Sequence, residues 1–204
     1  MRRRYERLPV EERKKEIMEA ATRLFIENGF EGTTMESVVK NVSLSKGGVY
    51  RIYPSTTEIL KDIISEGLIK RNQYYENHML NEIAEGREIT VPYMVKLIGN
   101  SLRIDPEVSA VYVEFLLAKR RSPQLEELYR ELYEASVKST TEIIDKFCPG
   151  ALLKINQESR QKLTEFFNAA VIGIHVLNIS RDDDESRLKI CEKIAELILD
   201  ADIK

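Results

Sequence analysis

The segment that decides the fold of this 204-residue chain reads IMEAATRLFIENGFEGTT at residues 17–34 and SKGGVYRIYPS at residues 45–55. Its first part carries apolar residues at i, i+3, i+4, i+7 and i+8, which is the spacing of one buried face of an α-helix. Asn28-Gly29 predicts the end of that helix, because glycine can adopt a left-handed conformation after the last turn. The segment predicts three short helices with a tight turn between the second and the third.

Capping signals mark the second and third helices of this segment. Thr33 and Glu36 form a capping box, with Thr33 as the N-cap and Glu36 at the third helical position. Ser45 is well placed to cap the third helix, which we expect over residues 46–53. A pair of helices joined by so short a turn is typical of a helix-turn-helix.

The rest of the chain is also predicted to be helical. Ser55 and Glu58 form a second capping box, which starts a long helix ending at about Leu80. Asp105-Pro106 and Ser122-Pro123 each place a proline at the first position of a helix. Helical patterns follow over residues 90–103, 106–119, 123–147, 158–179 and 184–201. We therefore expect an all-α fold of about nine helices, with a helix-turn-helix domain at residues 1–60 and a larger helical domain at residues 61–204.

Composition and charge exclude several classes of protein. The net charge of −3 argues against a protein that coats nucleic acid with bulk positive charge, although residues 1–60 carry 11 Lys and Arg against 9 Asp and Glu. No apolar run reaches the ~20 residues of a membrane span, and the N-terminus lacks the apolar segment of a signal peptide. Cys148 and Cys191 have no metal-binding spacing and are interpreted as buried small hydrophobes. We expect a cytoplasmic protein without a membrane partner.

Neither a metal site nor an active site is predicted. His78 and Glu82 share a helix face at i and i+4, but no third ligand accompanies them. The acidic run at residues 182–185 lacks the glycine and the distal glutamate of a calcium loop. Residues 119–121, Lys-Arg-Arg, are interpreted as the solvated basic end of a helix. Because no nucleophile–base pair or phosphate-binding glycine loop appears either, we expect no cofactor and no catalytic activity.

The third helix has the features of an element that enters the major groove of DNA. In a helix-turn-helix the second helix of the pair lies in the groove, and its N-terminal residues reach base edges. Gly47 and Gly48 let the backbone approach DNA closely, and each lowers helix stability by about 1 kcal/mol relative to alanine, which calls for such a reason. Lys46 adds a charge for phosphates. Side chains that can stack on sugars or donate to phosphates and bases follow at Tyr50, Arg51 and Tyr53.

Residues 11–64 resemble the N-terminal DNA-binding domain of TetR-family (tetracycline-repressor-like) transcriptional regulators. The resemblance lies in the first helix at residues 20–25, in Gly29-Phe30 and Thr33-Thr34, and in Ser45-Lys46-Gly47 followed by Tyr50 and Tyr53. It implies a homodimeric regulator, most simply a repressor, that binds a palindromic operator in double-stranded DNA and is released by a small-molecule effector. The DNA contacts that we expect on this basis are Thr33, Thr34, Ser45, Lys46, Gly47, Gly48, Tyr50, Arg51, Tyr53 and Thr56.

Several positions depart from the family pattern or leave alternatives open. Ser43 occupies a turn position often held by glycine, and Thr56 occupies one often held by lysine, so that one phosphate contact is neutral or absent. Arg51-Ile52 replaces residues that are often aromatic or histidine, so the operator sequence cannot be borrowed from a relative. The basic run at residues 2–4 is either an arm that tracks DNA or a disordered terminus.

The larger domain is implied to bind the effector and to dimerise. Aromatic and methionine residues in its middle helices suit a pocket for a small, largely apolar molecule, although such residues also build ordinary cores. The candidates are Tyr93, Met94, Leu97, Tyr112, Phe115, Tyr133 and His175. Apolar stripes with small residues over the last two helices predict a four-helix interface with a second copy. The interface candidates are Phe167, Ala170, Val171, Ile174, Asn178, Ile190, Ile194 and Leu197.

An alternative function is a helical small-molecule-binding or protein-interaction module without DNA-binding activity. The intact run at residues 45–48, followed by Tyr50, favours the DNA-binding regulator. Footprinting on the promoter of the chain's own gene separates the two.

Overall fold

The structure, a computed structural model, describes residues 9–90, 93, 97, 105–147, 169 and 173. It is all-helical there, which confirms the predicted class. The described residues hold six helices rather than nine: α1 (Val10–Gly32), α2 (Met35–Lys40), α3 (Lys46–Ile52), α4 (Thr56–Ala84), α5 (Pro106–Lys119) and α6 (Pro123–Phe147). The other predicted helices, over residues 90–103, 158–179 and 184–201, lie largely outside the described residues.

Gly29 interrupts α1 at the position where the sequence predicts its end. Its backbone angles are φ 72° and ψ 165°, and helical turns then resume as far as Gly32. Phe30 folds back so that its ring centroid lies 5.3 Å from that of Phe25, a residue of the buried face. A Cβ at Gly29 would be strained by the positive φ and would lie 3.2 Å from a carboxylate oxygen of Glu114, so glycine is required here.

The cap of α2 corrects one prediction. Thr34, not Thr33, is the N-cap: its hydroxyl accepts a hydrogen bond from the Ser37 amide at 3.1 Å, and Ser37 rather than Glu36 completes the capping box. Thr33 is instead buried, and its hydroxyl donates to the Gly29 carbonyl at 2.9 Å. The chain leaving Gly29 therefore turns the first threonine inward and leaves the second to start the helix.

The caps of α3 and α4 follow the sequence more closely. Ser45 caps α3 and accepts a hydrogen bond from the Gly48 amide at 3.2 Å, as predicted. Ser55 accepts from the Glu58 amide at 3.3 Å, and α4 begins at Thr56. These bonds satisfy amides that the first turn of a helix leaves without an internal partner.

The C-terminus of α4 lies beyond the predicted end at about Leu80. The helix continues to Ala84, and Gly86 follows with a φ of 71°. The Arg87 amide donates to the Glu82 carbonyl at 2.9 Å, and its guanidinium donates to the Glu82 carboxylate at 2.6 Å. The last turn of α4 is mostly exposed, so no apolar stripe in the sequence marks it.

The two proline-initiated helices are confirmed. The Asp105 carboxylate accepts a hydrogen bond from the Val108 amide at 3.1 Å at the start of α5. The Ser122 hydroxyl accepts from the Leu125 amide at 3.3 Å at the start of α6. In both cases the residue before the proline is the cap, since proline has no amide hydrogen of its own to satisfy.

The chain divides into two compact units. The first comprises Met1–Glu66 with Ala110–Leu132, and the second comprises Gly67–Ser109 with Tyr133–Lys204. Both therefore draw on α4, α5 and α6. The domain boundary expected after residue 60 stays a prediction, because it follows the motif in the sequence and not the packing of the helices.

A carboxylate joins three segments of the first unit. Asp62 on α4 accepts a hydrogen bond from the Tyr53 hydroxyl at 2.8 Å and lies 3.3 Å from the ammonium of Lys14 on α1. That ammonium also lies 5.7 Å from the centroid of the Tyr53 ring. Tyr53 is the C-cap of α3 and only 3% exposed, so the end of α3 is held between α1 and α4.

A second carboxylate holds the turn between α2 and α3. Glu16 on α1 accepts a hydrogen bond from the Ser43 amide and another from the Ser43 hydroxyl, the latter at 2.9 Å. The serine at this position therefore provides a side-chain contact that a glycine would lack.

The sequence indicates a solvated helix end at residues 119–121. In the structure, two of these basic residues instead form ion pairs. Arg121 donates two hydrogen bonds to the Glu31 carboxylate, at 2.7 and 3.0 Å. Lys119 pairs with Glu126 at 2.9 Å and lies 3.8 Å from the centroid of the Tyr129 ring. The Arg121–Glu31 pair joins the last turns of α1 to the segment between α5 and α6 within the first unit.

We expect Tyr53→Phe to lower the free energy of unfolding by about 1.5 kcal/mol, the usual effect of losing a hydrogen bond to a charged acceptor. Urea denaturation at pH 7 measures this. Tyr50→Phe is the matched control: this tyrosine is 38% exposed, and its substitution should leave the unfolding free energy unchanged. A loss of equal size in both variants would contradict the role of the Asp62 hydrogen bond.

The same hydrogen bond predicts a dependence on pH. Burial, followed by the neighbouring Asp62 carboxylate, raises the pKa of Tyr53 well above its ordinary value of 10.0. Stability from neutral Tyr53 is therefore fully present below pH 10 and is lost as the pH rises further, because only the unfolded chain ionises freely. The stability difference between wild type and Tyr53→Phe should accordingly shrink above pH 10.

Candidate nucleic-acid interface

The outward face of α3 carries charged and aromatic side chains. Lys46 has 66% of its side chain exposed, Tyr50 is 38% exposed, and Arg51 is also exposed. Val49, between them in sequence, is completely buried. The buried side of this seven-residue helix therefore fixes it to the core, while the opposite side is available to a partner.

The charge of Lys46 is only loosely engaged within the protein. Its ammonium lies 3.6 Å from a carboxylate oxygen of Glu36 on α2 and 5.8 Å from the centroid of the Tyr50 ring. Both side chains of the ion pair are about two-thirds exposed, and exposed pairs of this kind contribute at most about 1 kcal/mol. A phosphate group can therefore displace Glu36 with little loss of stability.

The two glycines of α3 have different structural surroundings. A Cβ at Gly47 would meet no atom within 4 Å, so none of the described residues requires glycine there. A Cβ at Gly48 would lie 3.3 Å from the capping hydroxyl of Ser45 and 3.7 Å from Leu44, which favours glycine for local reasons. Of the two glycines, Gly47 is therefore the one for which close approach of DNA is the candidate reason.

Two predicted DNA contacts are corrected by burial. Thr33 is 6% exposed and its hydroxyl donates to Gly29, and Tyr53 is 3% exposed and its hydroxyl donates to Asp62. Neither hydroxyl is presented to an external partner. Both residues position the helices around them. This structural role accounts for their place in the family motif without any contact to DNA.

The remaining predicted contacts lie at helix starts. Thr34 is exposed at the N-cap of α2, and Ser45 is exposed at the N-cap of α3. Gly48 is half-buried beside the Ser45 hydroxyl, and Thr56 is half-buried as the first residue of α4. The accessible candidates are thus Thr34, Ser45, Lys46, Gly47, Tyr50 and Arg51, with Gly48 and Thr56 partly covered.

In the second unit, two of the predicted pocket residues belong to one apolar cluster. Leu97 is buried and Tyr93 packs beside it, with the Tyr93 hydroxyl donating to the His78 carbonyl at 3.3 Å. Burial raises the pKa of Tyr93. Tyr133 is half-buried in the same unit. The other members of the cluster are Tyr75, Met79 and Ile143 at its centre and Tyr74, Ile89, Ile144 and Phe147 around them.

The structure places other pocket candidates in the first unit. Phe115 is completely buried, with its ring centroid 6.3 Å from that of Tyr112 and 6.2 Å from that of Tyr129. This arrangement is that of an ordinary aromatic core. Met94 and His175, the last two candidates, lie outside the described residues.

All eight predicted interface residues also lie outside the described residues. The two described residues of that region, Ala169 and Gly173, are both helical and lie at i and i+4 on one face. Ala169 is exposed, and a Cβ at Gly173 would meet no atom within 4 Å. The basic run at residues 2–4, the acidic run at 182–185 and both cysteines are likewise outside the described part of the chain.

Within the described ranges, no three His, Cys, Asp or Glu side chains are grouped as metal ligands would be. His78 Nδ1 lies 2.9 Å from the Tyr74 carbonyl, and Glu82 is engaged by the Arg87 guanidinium. None of the described helices has an apolar stretch of the length that a bilayer crossing requires.

Sequence reasoning missed the polar residues that orient this interface. Asp62 lies 48 positions from Lys14 in sequence, and Glu16 lies 27 positions from Ser43. Helical spacing identifies which residues share a face of one helix, but it does not pair polar residues on different helices. No feature of the single sequence distinguishes these two carboxylates from the exposed ones.

The helix-turn-helix region matches a known protein family. Residues 17–63 fit the model of bacterial regulatory proteins of the tetR family. Two relatives from Bacillus subtilis (strain 168) are each described as an uncharacterized HTH-type transcriptional regulator. YfiR is 28% identical over 139 residues, which span 67% of this chain and 65% of YfiR. YhgD is 34% identical over 68 residues, which span 33% of this chain and 36% of YhgD.

The fold as a whole is shared with solved structures. Salmonella enterica GusR superposes with a TM-score of 0.65 at 21% sequence identity, over 96% of each chain. Identity at this level shows a common fold and does not show that the two proteins bind the same ligand. The helix-turn-helix domain at residues 17–63 therefore matches the tetR family of bacterial regulatory proteins, and the all-helical fold is shared with a solved structure.

Proposed function

We propose that this chain is a transcriptional repressor that binds a palindromic operator as a homodimer and is released by a small, largely apolar effector. The observation that carries the proposal is the outward face of α3, where Lys46, Tyr50 and Arg51 are exposed around a glycine that no neighbour requires. A basic and aromatic helix face with room for close backbone approach suits the major groove.

The proposal predicts graded losses of DNA binding. Lys46→Ala should weaken binding to all sequences and reduce the salt slope by about 1, because one phosphate contact is lost. Arg51→Ala should cost about 1–3 kcal/mol at one operator position and relax specificity there. Footprinting on the promoter of the chain's own gene locates the operator, and fluorescence anisotropy at several salt concentrations measures both effects.

Lys15→Ala controls for the loss of a positive charge, because Lys15 is exposed on α1 and pairs with Glu19 of the same helix. It should leave the salt slope unchanged. Absence of a footprint would support the alternative of a binding module without DNA-binding activity. Equal losses on specific and random DNA for Arg51→Ala would assign that residue to phosphate alone.

Gly47→Ala separates stability from DNA binding. Alanine in place of an exposed helical glycine should stabilise the domain by about 0.5–1 kcal/mol, since its Cβ meets no atom within 4 Å. The same methyl group should weaken operator binding if the backbone of α3 approaches the DNA here. Thermal unfolding and anisotropy on the same sample measure the opposite effects, and unchanged operator affinity would remove Gly47 from the contact surface.

The dimer proposal is supported by Ala169, which is small and exposed, and by Gly173, where a Cβ would meet no described atom within 4 Å. Gly173→Leu should therefore leave the subunit folded but block close approach of a second copy. We expect a folded monomer by light scattering and circular dichroism, with operator binding greatly weakened. A variant that remains dimeric would place the interface elsewhere, and a wild type that is monomeric at micromolar concentration would rule out the dimer.

The effector proposal is supported by the apolar cluster around Tyr93 and Leu97 and by the course of α4, which has residues in both units. An effector releases DNA only through its different affinity for the two states of the protein. If the effector weakens operator binding by a factor of about 100, the coupling free energy is roughly 2.7 kcal/mol. Operator DNA must then weaken effector binding by the same factor.

A further inference from the structure

Arg71 lies in the second unit with an unusual set of partners. It is half-buried on α4, and its Nη2 donates to the hydroxyls of Ser136 and Thr140 on α6, both at 3.1 Å. The same nitrogen lies 3.3 Å from the side-chain oxygen of Asn72. All three acceptors are uncharged. The guanidinium is thus held in place without a carboxylate among the residues that the structure describes.

The buried donor of this guanidinium is Nε. Arg71 Nε is buried and has no hydrogen-bond partner among the residues that the structure describes, and the guanidinium carbon lies 5.6 Å from the centroid of the buried Tyr75 ring. Two other basic side chains of the unit have carboxylate partners: Lys70 pairs with Asp105 and Lys146 pairs with Glu76, each at 2.9 Å. A water molecule can satisfy a buried donor, but only an anion also neutralises the charge.

The two hydroxyls complete a set of donors. Because Ser136 and Thr140 each accept a hydrogen bond from Nη2, each keeps its own hydroxyl proton for another acceptor. A carboxylate that accepts from Nε can therefore take a second hydrogen bond from one of these hydroxyls. The carboxylate does not take the usual fork from Nε and Nη2, because both protons of Nη2 are directed at the two hydroxyls.

The surroundings of Arg71 are apolar on one side. Tyr75 follows it by one turn on α4, and Ile143 and Ile144 follow Thr140 by one turn on α6. All three belong to the apolar cluster of the second unit. A ligand that reaches Arg71 with its charged end thus has apolar and aromatic side chains beside its remaining atoms.

We propose that the second unit binds a small carboxylic acid with an apolar body, whose carboxylate is held by Arg71 with Ser136 and Thr140. A carboxylate fits better than a phosphate ester, because a single guanidinium balances one negative charge and Lys70 is already paired. The regulatory meaning of this site rests on the proposed repressor function, since the acid would then be the effector.

Calorimetric titration of the full chain tests the proposal. The probes are hexanoate, octanoate, decanoate and 4-phenylbutanoate, each against its primary amide. We expect at least one acid to bind at least about 10-fold more tightly than its amide, and Arg71→Met to weaken that acid about 10- to 100-fold. Lys138→Met is the matched control, since it removes an exposed positive charge two residues from both hydroxyls. It should leave the affinity unchanged.

Two further variants keep the test valid if Arg71→Met does not fold. Arg71→Lys retains the charge but lacks Nε, and Ser136→Ala removes one hydroxyl; each should weaken the acid less than Arg71→Met. If no acid in the panel binds more tightly than its amide, or if Arg71→Met binds it as wild type does, the proposal is overturned. Tighter binding of octyl phosphate than of octanoate overturns the choice of carboxylate.

Anisotropy on operator DNA, measured on the same samples, separates this proposal from the repressor function. Acid binding without any DNA binding leaves the site in place and contradicts the repressor. If the protein binds DNA but binds none of the acids, the proposed carboxylate site is contradicted and the repressor function is not. If the wild type binds no acid and Arg71→Met melts at a lower temperature than the wild type, Arg71 is a structural connection between α4 and α6.

Discussion

The position of α3 depends on the carboxylate of Asp62. A helix of seven residues has little stability of its own, because the cost of nucleating it is spread over very few hydrogen bonds. Packing of Val49 anchors its middle, and the hydrogen bond from Tyr53 to Asp62 anchors its end. Lys14 completes the arrangement from α1. The direction in which Lys46, Tyr50 and Arg51 project therefore follows from interactions made on the opposite side of the helix.

Much of the fold could be predicted from local patterns, because helix starts are governed by residues close in sequence. Asp105-Pro106 and Ser122-Pro123 start helices as expected, and Ser45 caps α3. The error at Thr33 is informative. Thr33 and Thr34 fit a capping position equally well, and the choice depends on the positive φ at Gly29, which turns the first of them inward. The end of α4 was missed because its exposed last turn carries no apolar spacing.

The candidate site was only partly predictable, since a sequence motif mixes residues that contact a partner with residues that hold the framework. Tyr53 illustrates this: its place in the motif indicates DNA, and its burial indicates the core. Arg71 illustrates the opposite case, because nothing in the spacing along α4 distinguishes it from a solvated arginine. Its partners on α6 are 65 and 69 positions away. Contacts of that kind arise only from packing.

The open space around Gly47 has a consequence for how such a domain changes over evolutionary time. Because a Cβ at this position would meet no described atom within 4 Å, a small substitution there alters the exposed surface of α3 without disturbing the described packing beneath it. Lys46 and Arg51 are similarly free of the core. Mutational drift can therefore retarget the protein to new binding sites while the scaffold is preserved.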